Sequence, residues 1–505
     1  MDRSVAQGRP PDARHDRWTG PGTGRWLAIA TGVALVLIAL AVYTTTLTER
    51  YYDHFVWQAA AFLEGQTAIR YPTPENEIFQ DVLPIETSDG VPRGQIPFPP
   101  LPALILLPFV AIWGHTTNDQ LVFTVLGAVD VGICWWLLGR LPVGPAVRLG
   151  TTLFFAFGTV FWYTAQLATT WFQAHVVAVG LTMLALGVAV GRDRAAAAID
   201  PVWLDPDDPD EPDPDSWTEI AEGTIGSGGG RPGIGLSRLA ERLAVDPRQM
   251  LAGFLFGLAC TARLTVLFGL PFFLLVGSGG SWWRRGWSAG LGAAIPVGAL
   301  IVYNLATTGH VLHPAYDYLY RLEALVYWPL GYNVDWSIED PRYLPQNLGI
   351  MFASLPDLFP TTLPDSLGVN AVPVCMDPGA VRGLFDVTCP LAVPRDIGMS
   401  LLVTSPAFLL VVPGLRWYGR SRLVTGCAFA ILLIGLVNLM HFSQGWVQFG
   451  YRFSNDFVPW ALILVALGFD RLTRHRWGTP VAMTLVVVAI AVNLWGVIWG
   501  GLLGW

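Results

Sequence analysis

The sequence predicts an all-α polytopic membrane protein. Three observations carry that reading. The 505 residues are 53% hydrophobic and only 13% charged, where an ordinary soluble domain carries about 25% charged residues. Mean hydropathy is +0.47. Long apolar runs recur along the chain, several near the roughly 20 residues that a membrane-crossing helix needs, and arginines cluster at alternate ends of them. Counting them gives about eleven transmembrane helices, with interfacial helices in two large extracytoplasmic loops, residues 47–118 and 307–398.

Composition excludes some partners. Net charge is -8, but the run from Asp205 to Asp215 supplies most of it. The acidity is therefore local, and nothing points to nucleic acid. All 30 basic residues are arginine, which reflects genome composition rather than mechanism. Cys134, Cys260 and Cys427 fall inside apolar spans and read as inert core residues. Cys375 and Cys389 share one loop and could bridge in an oxidising compartment.

The elements follow in order. Residues 1–25 form a basic, disordered tail that stays cytoplasmic. The first span is expected near 26–46. Ala39-Leu40-Ala41 resembles a signal-peptidase site, but the apolar run continues and more spans follow, so a retained anchor is expected. After it come Asp53 and His54. Phe55, Val56, Ala59, Phe62 and Leu63 then share one helical face, which predicts a short helix lying in the membrane interface. Two readings of Asp53 stand: a cap for that helix, or a functional carboxylate where a span emerges into water.

The apolar run after Pro97–Pro102 has roughly 15 residues and internal prolines, so it reads as re-entrant or interfacial. Spans follow near 119–139, 149–165 and 173–190; with residues 26–194 they make the first membrane domain. Residues 195–247 are an acidic Pro/Gly insert that cannot bury enough apolar surface to fold. The second membrane domain, 248–505, starts with two short spans in 249–279 that turn at Arg263. Spans near 288–306, 399–415, 423–440, 457–470 and 478–500 complete it, and 345–360 could be another interfacial helix.

This topology puts Asp53-His54, the turn up to Gln173 and His175, Arg263, and Tyr451-Arg452 with Asp456 on one outer face, joined by the loop carrying Tyr316. No HExxH, CxxC, GxSxG or P-loop lysine is present. No strong symmetry of halves or obvious pair of broken helices marks a secondary transporter.

Asp53 with a helix directly after it, the Ile96-Pro97-Phe98-Pro99-Pro100-Leu101-Pro102 entry into an apolar segment, and the Gly450-Tyr451-Arg452-Phe453 turn resemble the GT-C superfamily. These are integral-membrane glycosyltransferases that use polyprenyl-phosphate sugars, among them the protein O-mannosyltransferases and lipid A aminoarabinose transferases. The likeness is one of arrangement across residues 26–310 plus that turn. It implies that Asp53 acts as general base on the acceptor. Many members have a second acidic residue in the outer turn after the third span. Here Thr170, Gln173 and His175 stand there instead, which implies a metal-independent member with no cofactor.

The residues agree with such chemistry. A leaving phosphate needs cations, and arginine suits bidentate phosphate contacts; Arg263 and Arg452 are the candidates, with Arg93 a weaker one. His54 or His175 could assist Asp53. Tyr316, Tyr451 and Trp57 could stack on a sugar, although interfacial aromatic belts explain such residues equally well. The expected partners are a polyprenyl-phosphate sugar donor, a glycan, lipid or protein acceptor, and the lipids of a bacterial cell membrane. Competing readings are a transporter or lipid-linked-substrate flippase, and a non-catalytic assembly subunit.

Overall fold

The computed structural model describes residues 23–48, 52–70, 81–85, 90–191, 244–326, 332–364, 371–443, 445 and 447–505. The tail before residue 23, residues 192–243 of the acidic insert with Arg192 and Arg194, and Tyr327 and Trp328 lie outside the described residues.

Helix α1 (Thr23–Thr45) is the first apolar run. Trp26, Leu27, Val33 and Leu37 along it are exposed, as a lipid-facing surface would be. The short helix α2 (His54–Leu63) follows. It does not lie open on an interface: His54, Phe55, Val56, Gln58, Ala59 and Ala61 are all buried, so both of its faces are covered. The reason is a small antiparallel sheet that the sequence left as loop. Strands β1 (Ile69–Arg70), β2 (Leu83–Ile85) and β3 (Arg93–Gln95) pair in the order β1-β3-β2. Ile69, Val82 and Ile96 beside these strands cluster with Ala61 of α2. Helix α3 (Leu101–Trp113) is the short proline-bounded segment. Its 13 residues reach only about 20 Å, short of a hydrocarbon core about 30 Å thick.

Helix α4 (Asp119–Leu138) is capped by Asn118, whose side chain accepts from the Leu121 N–H at 2.9 Å. The next apolar segment is broken into α5 (Pro145–Gly158) and α6 (Phe161–Leu167). Ala168 ends α6 with a left-handed φ of 38°, and α7 (Thr170–Val190) begins two residues later. Past the insert, α8 (Pro247–Cys260) is capped by Asp246. The short helical turns from Leu264 to Leu275 then run back alongside it. Gln249 Nε2 at the start of α8 donates to the carbonyls of Phe273 and Val276, so the segment is a hairpin with Arg263 at its tip, as the sequence suggests. Helix α9 (Trp282–Thr308) packs along α8.

The second loop contains α10 (Ala315–Val326), α11 (Leu344–Ala353) and short strands β4 (Asp357–Leu358), β5 (Thr362–Pro364), β6 (Ala371–Pro373) and β7 (Ala392–Val393). Strand β4 pairs with β7 and β5 with β6, and Cys375 is bonded to Cys389. Residues 401–417 form successive short helical turns rather than one span. Helices α12 (Arg422–Met440), α13 (Val458–Thr473) and α14 (Gly478–Leu503) close the chain, with a 3₁₀ turn, Arg452–Asp456, between α12 and α13.

Among the described residues six helices are long and apolar enough to cross a bilayer: α1, α4, α7, α9, α12 and α14. The count of about eleven is therefore not reached. The other expected spans are short or interrupted: α5 and α8 have 14 residues each and α13 has 16, or about 21–24 Å of helix. Helix α7 is the central one, with 83% of its apolar window buried against 22% for α1.

The α8–α9 contact shows how little slack the bundle has. A Cβ on Gly253 would sit 2.0 Å from the Ala289 carbonyl oxygen, and one on Gly292 would sit 2.0 Å from the Met250 carbonyl oxygen. Only glycine lets these backbones approach so closely, which is the usual basis of helix association in lipid. We expect Gly253→Val to lower stability by about 3 kcal/mol or more, read as a loss of monodisperse protein in detergent. Gly298→Val, where nothing lies within 4 Å, should elute and melt like the parent.

Candidate active site

The first two turns of α7 touch the His54, Arg452 and Asp456 groups directly and reach Arg263 through Asp456. The Thr170 hydroxyl donates to the Tyr52 carbonyl at 2.8 Å and lies 3.0 Å from His54 Nδ1. With its proton committed to Tyr52, Thr170 can only accept from the imidazole, so Nδ1 carries the hydrogen. Trp171 Nε1 donates to Asp81 at 2.6 Å. Phe172 lies under the Arg452 guanidinium, 5.0 Å from ring centre. Gln173 Nε2 donates to Asp119 and to the Ala168 carbonyl. His175 Nδ1 lies 3.0 Å from Asp456 Oδ1, off the line of a good hydrogen bond.

Asp456 is the hub. Its fully buried carboxylate takes a two-pronged contact from Arg263, at 3.1 Å from Nε and 2.8 Å from Nη2. It also accepts from Thr265 Oγ1 at 2.7 Å and Asn438 Nδ2 at 3.2 Å. Burial opposes its ionisation, but Arg263 and His175 outweigh that and hold the carboxyl well below the usual range. Asn455 Nδ2 donates to Thr164 on α6, and Gln448 accepts from the Arg452 N–H, so the 3₁₀ turn is pinned on both sides.

Arg452 is different. It is 9% exposed, its guanidinium lies over Phe172 and Phe453, and among the described residues no carboxylate reaches it at ion-pair distance. Burial and the neighbouring Arg263 lower its pKa to about 10, with Asp81 opposing, so it stays cationic. Asp81 holds a left-handed φ of 61°. Burial raises its carboxyl to about 6, although Trp171 and Arg452 pull the other way. Tyr316 on α10 is half-buried; burial raises its phenol to about 12, against Arg263, while Glu339 and Asp81 also face it. The second loop thus brings Tyr316 within electrostatic reach of Arg263. The Phe453 ring is a shared floor, with Arg263 above it at 5.2 Å, Arg452 at 5.6 Å, and His175 and His441 beside it. His441 in turn meets Glu339 at 3.2 Å.

Asp53 precedes α2, but its side chain makes no capping hydrogen bond, so the cap reading is not realised. It is half-buried, and burial raises its carboxyl against the pull of His115. Asp119 stands within electrostatic reach of it. The second carboxylate near Asp53 therefore comes from the start of α4, not from the outer turn after the third span, where the sequence indeed has none.

Placement sorts the sequence candidates. Asp53, Arg263, Tyr316 and Arg93 keep accessible surface. Arg93 lies on β3 across from Arg70, on the sheet rather than on the Phe453 floor. His54 and His175 are 0% and 1% exposed, so both support neighbouring groups rather than meet a ligand. Gln173 is equally buried and holds Asp119. Tyr451 is fully buried, with its hydroxyl on the Asn438 carbonyl, and has no face for a sugar. Asp456, Asp119, Asp81 and the Glu339–His441 pair were missed as site residues. Asp456 stands in the turn quoted for Arg452, but its partner Arg263 lies 193 residues away. The left-handed conformation of Asp81 leaves no mark in the sequence. Among the described residues no three His, Cys, Asp or Glu side chains group as metal ligands. No protein-family model, curated protein or solved structure matches the chain.

Two outcomes follow from the charges. Asp456→Ala strands Arg263 beside a buried imidazole and should cost about 3–5 kcal/mol, measured as thermal unfolding in detergent. Asp81 has a raised folded-state value, so its contribution is greatest below the ordinary aspartate range and is lost as pH rises through about 6. Asp81→Asn should therefore raise stability at pH 8, on the order of 2 kcal/mol, and leave it unchanged near pH 4.

Proposed function

We propose that the chain is an integral-membrane glycosyltransferase that moves a sugar from a polyprenyl-phosphate donor to an acceptor on the extracytoplasmic side. The observation that carries this is Arg452: a buried guanidinium with no carboxylate at ion-pair distance among the described residues, beside Arg263 at one end of an apolar bundle. Asp456 matches the charge of Arg263, whereas Arg452 has only the more distant attraction of Asp81, and an anion would satisfy it at close range. A phosphate on a lipid chain brings both the charge and the apolar tail.

In this reading Arg452 and Arg263 hold the departing phosphate, with Tyr316 closing over it. The acceptor hydroxyl attacks the anomeric carbon; the new C–O bond forms as the sugar–phosphate bond breaks. Asp53 takes the hydroxyl proton, and polyprenyl phosphate leaves with the electron pair. Burial, against the pull of His115, raises the Asp53 carboxyl and so its basicity. All eleven segments would reach into the bilayer, five as short or interrupted pieces. The N-terminal tail and the acidic insert would then be cytoplasmic, and the site, the two loops and the Cys375–Cys389 bond would be outside, in a bacterial cell membrane.

One observation favours a second reading. The break between α5 and α6 and the turns at 401–417 are interruptions of the kind that transporters use at substrate sites. The same preparation separates the two: purified protein is given radiolabelled polyprenyl-phosphate sugars and acceptor, then reconstituted and tested for uptake. Transfer is expected. Uptake without transfer by the parent protein would establish the transporter instead.

Asp53→Asn should lower transfer about 10²–10⁴-fold with unchanged elution, and near-normal turnover would remove Asp53 from the base role. Because burial raises the Asp53 carboxyl, the acid limb of the rate profile should lie above the ordinary aspartate value of about 3.9. Arg452→Gln should cost about 10²–10³-fold.

A further inference from the structure

The disulfide-closed segment of the second loop exposes more apolar surface than a water-facing loop should. Met376, Val381, Leu384 and Phe385 within it are between 41% and 85% exposed, as is Val372 on the β6 strand before it. Phe359, which follows β4 and donates its N–H to the Leu391 carbonyl, is 59% exposed. Two of the three charged groups in the segment bond back to the loop itself, while Asp377 at its near end is exposed. Arg382 Nη1 donates to the carbonyls of Pro360 and Pro390 at 2.9 and 2.7 Å. Asp386 accepts from the Thr388 N–H and hydroxyl at 2.8 and 2.7 Å. What remains facing outward is largely hydrocarbon, which marks a contact surface.

The surroundings say what covers it. Leu363, Val374 and Val393 pack with Trp499 of α14, and Trp495 and Leu503 join them. Trp499 Nε1 donates to the Leu384 carbonyl at 3.1 Å. The loop is thus fixed to the last turns of α14. That helix has 26 residues, about 39 Å of rise against a core of about 30 Å, so its last turns stand at the membrane boundary. Leu494 and Leu502 on the same helix are exposed, while Trp499 is buried beneath the loop.

We propose that the 375–389 segment is a lipid-binding surface that seats in the headgroup and upper acyl region of the bilayer, with Phe385 and Val381 inserted. The disulfide closes the segment so that its apolar side chains are displayed from one compact unit. Leu384, exposed on the segment, is tied through its carbonyl to Trp499, one turn from the exposed Leu502 of α14. This inference stands apart from the transferase reading and needs only that the bundle is embedded.

The test is site-directed spin labelling of the full chain in vesicles of phosphatidylcholine and phosphatidylglycerol. Cys134, Cys260 and Cys427 are buried and the other two cysteines are bonded, so a nitroxide on Phe385→Cys or Val381→Cys is selective. Peptide mapping confirms that the native bond is kept, and unchanged elution confirms the fold. Both labels should collide several-fold more often with dissolved oxygen than with a water-soluble nickel complex. Asp335→Cys, in the exposed part of the same loop, should show the reverse. Labels at 381 and 385 that favour the nickel complex would place the segment in water and overturn the proposal. Shielding from both reagents would show that protein, not lipid, covers it, and would overturn it equally.

Discussion

A buried carboxylate that gathers its own counter-charges sets the architecture at one end of this bundle. Asp456 sits where desolvation alone would force it neutral, yet Arg263, Thr265, Asn438 and His175 converge on it from three parts of the chain. Each partner is fixed in turn by the need to satisfy that oxygen pair. The 3₁₀ turn cannot move without the tip of the α8 hairpin, and neither can move without α7. Such a pair contributes less net stability than its short distances suggest, because two ions have left water. What it does supply is register. It determines which face of α7 looks at the hairpin, and so where Phe172 and Trp171 point. The arrangement leaves Arg452 next to a cation whose charge is already matched, and itself unmatched.

The coarse architecture was legible in the sequence because hydrophobic length is a local property. α1, α4, α7, α9, α12 and α14 each announce themselves within their own residues. The hairpin turning at Arg263 was legible too, since a single arginine in an apolar run has few places to go. The interruptions were not. Residues 149–167 and 401–417 have the composition of a span; Pro406 and Pro413-Gly414 interrupt the second, whereas only Gly158 stands beside the break at Thr159-Val160 in the first.

The site divides along the same line. Arg263, Arg452, His175 and Asp53 could be named because each is a polar group near the end of an apolar run. Their division of labour could not, since exposure depends on what other segments do. His175 and Gln173 look like ligand residues in the sequence, and the fold uses both to hold carboxylates that arrive from elsewhere. Asp119 reads as an ordinary first-turn acid of α4, and only the folded chain brings it into the field of Asp53. Asp81 sits beside a stretch of the first loop with no periodic pattern, so neither its burial nor its left-handed backbone was foreseeable.

The short hairpin has a consequence for the surrounding membrane. α8 has 14 residues and rises about 21 Å, so a chain entering at one boundary turns about 9 Å before the other. The guanidinium at the tip is 22% exposed at that depth. A charge there is tolerated when the bilayer thins or water reaches down to it. The Asp456 carboxylate that meets this guanidinium is a third way of lowering that cost, so the ion pair and the short hairpin belong together.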